Sequence, residues 1–114
     1  MHELSVAMSI VEIAEEEGAR LGGRVSAVHL RLGVMAGVVK DALLFSYDVV
    51  CEETALAGSR LVIEEVPLAV WCPRCEVQRV LAPNDAFRCA ECGTPTPDVR
   101  AGRELELVAL EIDE

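Results

Sequence analysis

Cys72-Pro73-Arg74-Cys75, thirteen intervening residues, then Cys89-Ala90-Glu91-Cys92-Gly93 is the stretch around which this chain organises itself. In a CxxC unit the two side chains converge as a tight knuckle, and two knuckles close a tetrahedral sulfur shell on one zinc at about 2.3 Å per bond. Pro73 helps set the first turn, and Gly93 permits a left-handed backbone and a close approach of amides to the sulfurs. Pro83-Asn84-Asp85 marks a turn between the knuckles. A lone CxxC beside a βαβ pattern would suggest redox work, and disulfides or an iron–sulfur cluster are the other uses of such cysteines. Two CxxC units at this separation satisfy four-coordinate zinc with nothing left over, so Cys72, Cys75, Cys89 and Cys92 are read as ligands of one structural zinc. A closed shell leaves no position for water, and the zinc is not expected to be catalytic.

Working outward, residues 72–97 contain four of the chain's five cysteines and four of its five prolines. The segment reads as a zinc-ribbon-like module folded around its metal, inserted into an α+β domain formed by residues 1–71 and 98–114. Leu4, Ala7, Met8, Val11 and Ala14 recur at helical spacing and predict a first helix over 4–17, stopped by Gly18 and Gly22-Gly23. Glu12, Glu15, Glu16 and Glu17 crowd acid towards its C-terminus, against the helix dipole, so that end is expected to fray. Val25 to Leu32 turns to period two, with Val28, Leu30 and Leu32 on one face and His29 and Arg31 on the other. Leu43, Leu44, Tyr47, Val50 and Cys51 predict a second helix over about 41–54, in which Cys51 is a small buried hydrophobe. Leu61 to Trp71 reads as a strand, with Pro67 placing it at an edge or at a bulge. Glu104 to Ile112 reads as the last strand, where a change of parity suggests a bulge near Val108. The expected architecture is two helices packed on a small β-sheet, interrupted by the module.

Twenty acidic against ten basic residues give a net charge of −10, which repels phosphate polyanions unless a local basic patch overrides it. Arg74, Arg79 and Arg88 are the only basic residues of the module, without interleaved aromatics, so a nucleic-acid ribbon is not expected. Those arginines could instead meet an acidic partner. The N-terminus has neither the basic region nor the apolar run of a secretory signal, and no stretch reaches membrane-spanning length. The expectation is a cytoplasmic protein, where thiols stay reduced and paired CxxC units serve metals. No phosphate-binding glycine loop, nucleophile elbow or open-shell metal motif is present, so no enzymatic activity is expected.

His29 lies on the polar face of a strand and reads as structural. His2 is different because of its position: with Met1 retained, as a bulky second residue favours, the α-amine, the His2 amide and its Nδ1 close two chelate rings on one ion. Glu3 adds its amide nitrogen or its carboxylate. A planar, nitrogen-rich set suits Ni(II) or Cu(II) better than zinc. Residues 1–3 otherwise simply begin the first helix.

The opening Met1-His2-Glu3, the Leu32-Gly33 strand end, LLFSYDVV, VIEEVPLAVWCPRC, CAECG and ELELVALEID, in this order, resemble the HypA/HybF family of hydrogenase nickel-incorporation proteins. The resemblance spans essentially the whole chain. It implies that Met1, His2 and Glu3 hold nickel and that the four cysteines hold structural zinc. It further implies a metallochaperone that passes Ni(II) to the large subunit of [NiFe]-hydrogenase with a HypB-type GTPase. Some members add a carboxylate near the start of the second helix, and Asp41 is the nearest acid here. A homodimer is compatible with the sequence. The competing reading is a zinc-ribbon adaptor that binds protein or nucleic acid, with the opening Met-His-Glu accidental.

Overall fold

The computed structural model describes residues 2–113, and these include α1 (Glu3–Leu21), β1 (Arg24–Gly33), α2 (Lys40–Cys51), β2 (Arg60–Val66), β3 (Ala69–Cys72), β4 (Val77–Val80), β5 (Val99–Ala101) and β6 (Leu105–Asp113). The chain divides into two compact units: Met1–Arg31 with Gly37–Glu64 and Glu106–Glu114, and Leu32–Ala36 with Glu65–Leu105. The expected 72–97 module lies wholly within the second unit. This unit also takes in residues 65–71 and 98–105 and the short 32–36 segment.

In the first unit α1 packs on α2, and β1 is the middle strand of a three-stranded sheet in the order β2-β1-β6. Val6, Ala7, Ile10, Val11 and Ala14 form the buried stripe of α1, joined in the core by Val28, Leu30, Leu43, Tyr47 and Leu56. Each fully buried aliphatic side chain of this kind contributes about 1.5–3 kcal/mol relative to exposure. The Tyr47 hydroxyl, inside this core, is paired with Ser59 Oγ at 2.6 Å, which removes the penalty of an unsatisfied phenol. Burial pushes the Tyr47 and Cys51 ionisations upward, so both side chains stay neutral.

The first helix runs past its expected stop. Gly18 is buried inside α1, where an added Cβ would sit 2.9 Å from Val25 Cγ2, so this glycine serves close packing rather than termination. Gly22 ends the helix in a left-handed conformation at φ 75°, its N–H donating to the Gly18 carbonyl. The last turn also carries an exposed Arg20–Glu17 pair at 2.6 Å.

The expected 61–71 strand is two strands. Pro67 lacks a ladder donor, and the chain leaves one sheet there and enters another: β2 belongs to the first sheet, whereas β3 is the middle strand of a second, ordered β4-β3-β5. Leu68, Val70 and Leu81, with Val99 packed against them, form the small core of this second unit. Arg100 lies over the Trp71 ring at 5.0 Å. The exposure pattern of β6 changes parity between Val108 and Ala109, where the sequence suggested it.

Candidate metal centre

The two knuckles are built alike. In the first, the Glu76 N–H donates to the Cys72 carbonyl at 2.8 Å; in the second, the Gly93 N–H donates to the Cys89 carbonyl at 2.8 Å. Both donor residues are left-handed, Glu76 at φ 55° and Gly93 at φ 74°. This turn leaves backbone amides aimed at sulfur, as the Cys75 N–H is towards Cys72 Sγ at 3.3 Å. β3 delivers Cys72 at its end, fully buried, and β4 leaves directly from the first knuckle.

The sulfurs of Cys72, Cys75, Cys89 and Cys92 all lie within 4.8 Å of one another. Cys72 and Cys92 are 3.6 Å apart and Cys75 and Cys89 3.9 Å. Tetrahedral geometry with bonds of about 2.3 Å places sulfurs about 3.8 Å apart, so the set needs little adjustment to close on zinc. A disulfide requires about 2.05 Å, and all five cysteines are free.

The surroundings favour thiolates on the second knuckle. The Thr94 hydroxyl, 3.2 Å from Cys92 Sγ, and the Thr94 backbone N–H push Cys92 down to about 6. The Cys92 backbone N–H holds Cys89 below its ordinary value. At Cys75, Arg79 pulls the thiol down, but the crowded Cys92 and Cys72 sulfurs outweigh it and push Cys75 up to about 11. Sulfurs packed this closely disfavour one another's ionisation. Arg79 Nε is buried with no hydrogen-bond partner among the described residues. Four converging sulfur donors fit a soft or borderline divalent metal. Arg79 and Thr94 were not singled out as parts of this site in the sequence. Thr94 is two residues past Cys92, a spacing that signals such a donor.

At the other candidate site, Met1 lies outside the described residues. His2 is the exposed residue preceding α1, extended at φ −78° and ψ 118°, and makes no side-chain cap. Its carbonyl accepts from the Val6 N–H at 3.2 Å. Glu3 opens α1, and its Oε2 accepts from the Val39 N–H at 3.1 Å, at the start of α2. That bond is the first cause of a Glu3 pKa held below the ordinary carboxylate value. The structure therefore brings Glu3 to the N-terminus of α2, whose first turn also carries Asp41. Among the described residues, the cysteine quartet is the one group of three or more His, Cys, Asp or Glu side chains whose ligand atoms converge. None of the helices among them is long and apolar enough to cross a membrane.

A two-unit α+β chain with a pair of converging CxxC knuckles is the architecture of a metal-binding protein. Residues 1–112 match the sequence model of HypA, described as hydrogenase/urease nickel incorporation, metallochaperone. The chain belongs to the HypA family. It is 54% identical over 112 residues to a hydrogenase maturation factor HypA of Chloroflexus aurantiacus, covering 97% of this chain and 98% of that one. To the protein of the same name from a Roseiflexus species it is 52% identical over 115 residues, covering 100% and 94%. The fold is similar to two solution structures at 22% identity. One, of a HypA protein, aligns with a TM-score of 0.71 over 98% of this chain and 96% of that one. The other, of the Ni metallochaperone HypA from Helicobacter pylori, aligns with a TM-score of 0.65 over 98% and 97%.

Proposed function

We propose that this chain carries Ni(II) on its N-terminus and helps insert it into [NiFe]-hydrogenase, while the cysteine quartet holds a structural zinc. The observation that supports this most directly is the match of residues 1–112 to a nickel-incorporation family, with His2 and Glu3 at the start of α1. In this reading the Met1 amine, the His2 amide and Nδ1, and a donor from Glu3 form the nickel set. Because the Glu3 carboxylate already accepts from Val39, its amide nitrogen is the donor we assign. The zinc, when bound, supplies folding energy to the second unit; Cys72, Cys75, Cys89 and Cys92 hold it, and Thr94 and the knuckle amides support the thiolates.

The chain acts as a cytoplasmic carrier with no catalytic step of its own. Its expected partners are a HypB-type GTPase and the [NiFe]-hydrogenase large subunit. Nickel titration of the tag-free protein tests this. His2→Ala removes tight nickel binding and leaves zinc content unchanged, and an N-terminal extension does similar harm by converting the amine to an amide. A His2→Ala protein that binds nickel like the parent and supports full hydrogenase maturation at low nickel refutes the carrier reading and favours a zinc-ribbon adaptor.

A further inference from the structure

Four thiolates around a divalent metal leave two surplus negative charges, and this chain already carries a net charge of −10. A cation close to the sulfurs would offset that surplus, and one side chain is placed to do so. In the β3–β4 register Val70 faces Arg79 and Cys72 faces Val77, so Arg79 leaves the sheet on the same face as Cys72. It is the least exposed residue of β4. Its guanidinium interacts first with Cys75 and then with Cys89, one sulfur from each knuckle. Its buried Nε has no hydrogen-bond partner among the described residues. A metal-bound thiolate is an anionic acceptor for the rest of such a guanidinium.

We propose that Arg79 is the charge-compensating positioning residue of the metal centre, set against the Cys75 and Cys89 thiolates so that it strengthens metal retention and withdraws electron density from those sulfurs. The proposal rests on the quartet being a metal shell and is independent of where nickel binds. An arginine suits the place because its planar guanidinium holds several donors in fixed directions and never deprotonates.

The test uses the full-length protein, loaded with zinc for chelator competition and with Co(II) for absorption spectroscopy. Loss of an outer-shell partner of this kind weakens metal binding by about 10–100-fold, which is the change expected for Arg79→Leu. Its sulfur-to-cobalt charge-transfer bands move to lower energy, because a thiolate without a facing cation is easier to oxidise. Arg79→Lys keeps the charge but not the fork and falls between the parent and the leucine variant. Arg103→Leu changes net charge equally from an exposed position in the same unit and leaves both readouts unchanged. Should Arg79→Leu fail to fold, Arg79→Gln, neutral and polar, carries the same comparison against Arg79→Lys. Parent-like affinity and unmoved bands in the neutral variant overturn the proposal, and so does an equal loss in the neutral and lysine variants. A parent chain that retains no metal at all would instead overturn the quartet reading, and Arg79's role with it.

Discussion

Replacing Gly33 by alanine adds one carbon where the second unit has no room. A Cβ there would sit 2.1 Å from the Gly102 carbonyl oxygen, 2.2 Å from its carbon and 2.6 Å from the Arg103 nitrogen. Unstrained carbon contacts lie at about 3.5–4.0 Å. All three neighbours are backbone atoms, so no rotamer change relieves the clash and the 102–103 segment has to move by more than about 1 Å. That movement disrupts two bonds, Gly33 N–H to the Glu104 carbonyl and Met35 N–H to the Gly102 carbonyl, each 2.7 Å. Two hydrogen bonds at about 1 kcal/mol each, with roughly 1–3 kcal/mol of overpacking strain, give a destabilisation of about 3–5 kcal/mol. For a domain near this size 1 kcal/mol is worth about 4 °C, so the melting temperature falls by about 12–20 °C in thermal denaturation followed by circular dichroism. Gly37→Ala is the comparison. Its φ is +77° with nothing within 4 Å of an added Cβ, so it costs only the left-handed penalty of about 1–2 kcal/mol. A Gly33→Ala protein that melts no lower than Gly37→Ala refutes the close-approach argument.

Three further outcomes follow from the same geometry. Cys75→Ser removes one ligand of the closed shell, so the purified protein holds well under one zinc per chain by elemental analysis, and the second unit loses protection from hydrogen exchange before the first. Unchanged zinc content would exclude the quartet as the zinc site. Glu76→Gly relieves a left-handed non-glycine residue in the first knuckle; chemical denaturation should show a gain of up to about 1 kcal/mol, and a loss of that size would mean the Glu76 side chain matters more than its backbone. Glu111 is held below its ordinary value of 4.5, chiefly by His29 Nε2 at 2.7 Å. A depressed carboxylate stabilises the fold above its unfolded value and loses that contribution as pH falls through the folded one. The stability difference between the parent and His29→Ala should therefore shrink on acidification below pH 4.5, and a urea titration showing a constant difference would contradict the pairing.

The quartet was readable because its chemistry is local. Spacing within a knuckle fixes which two sulfurs meet, and four thiols with no fifth at that spacing specify a closed shell. Periodicity likewise exposed the buried face of β1 at Val28, Leu30 and Leu32, but it misplaced part of the α1 face, where Leu4 and Met8 are exposed and Val6 and Ile10 are buried beside Ala7, Val11 and Ala14. What stayed hidden depends on distant residues. Gly18 looks like a stop until Val25 is seen against it. Pro67 disfavours a central strand, but only the pairing of β3 with β4 and β5 shows that the chain changes sheets there. Arg79 reads as one of three module arginines, and its distinction comes from the register that puts it on the face of Cys72.

Glu3 illustrates how one such distant contact alters the chemistry assigned to a site. From sequence its carboxylate and its amide are equal candidates for a metal. The carboxylate, however, accepts from Val39 N–H, 36 residues away in sequence, where the positive end of the α2 dipole favours an anion. A nickel ion drawing on that carboxylate would compete with this bond and free an amide donor at the start of α2. The Glu3 amide meets no carbonyl within the helix, as is usual for the first amides, and its N–H turns to its own carboxylate, a contact second to the Val39 bond. The His2 and Glu3 amides are therefore the backbone donors that can be recruited without dismantling α1, and the side chain of Glu3 keeps a separate task, tying the start of α1 to the start of α2. The proposed cargo site is thus a short exposed end fastened at one point. A nitrogen set on such an end can exchange its ion without unfolding a core, whereas the sulfur shell proposed for zinc gives up the structure it holds together when its metal leaves.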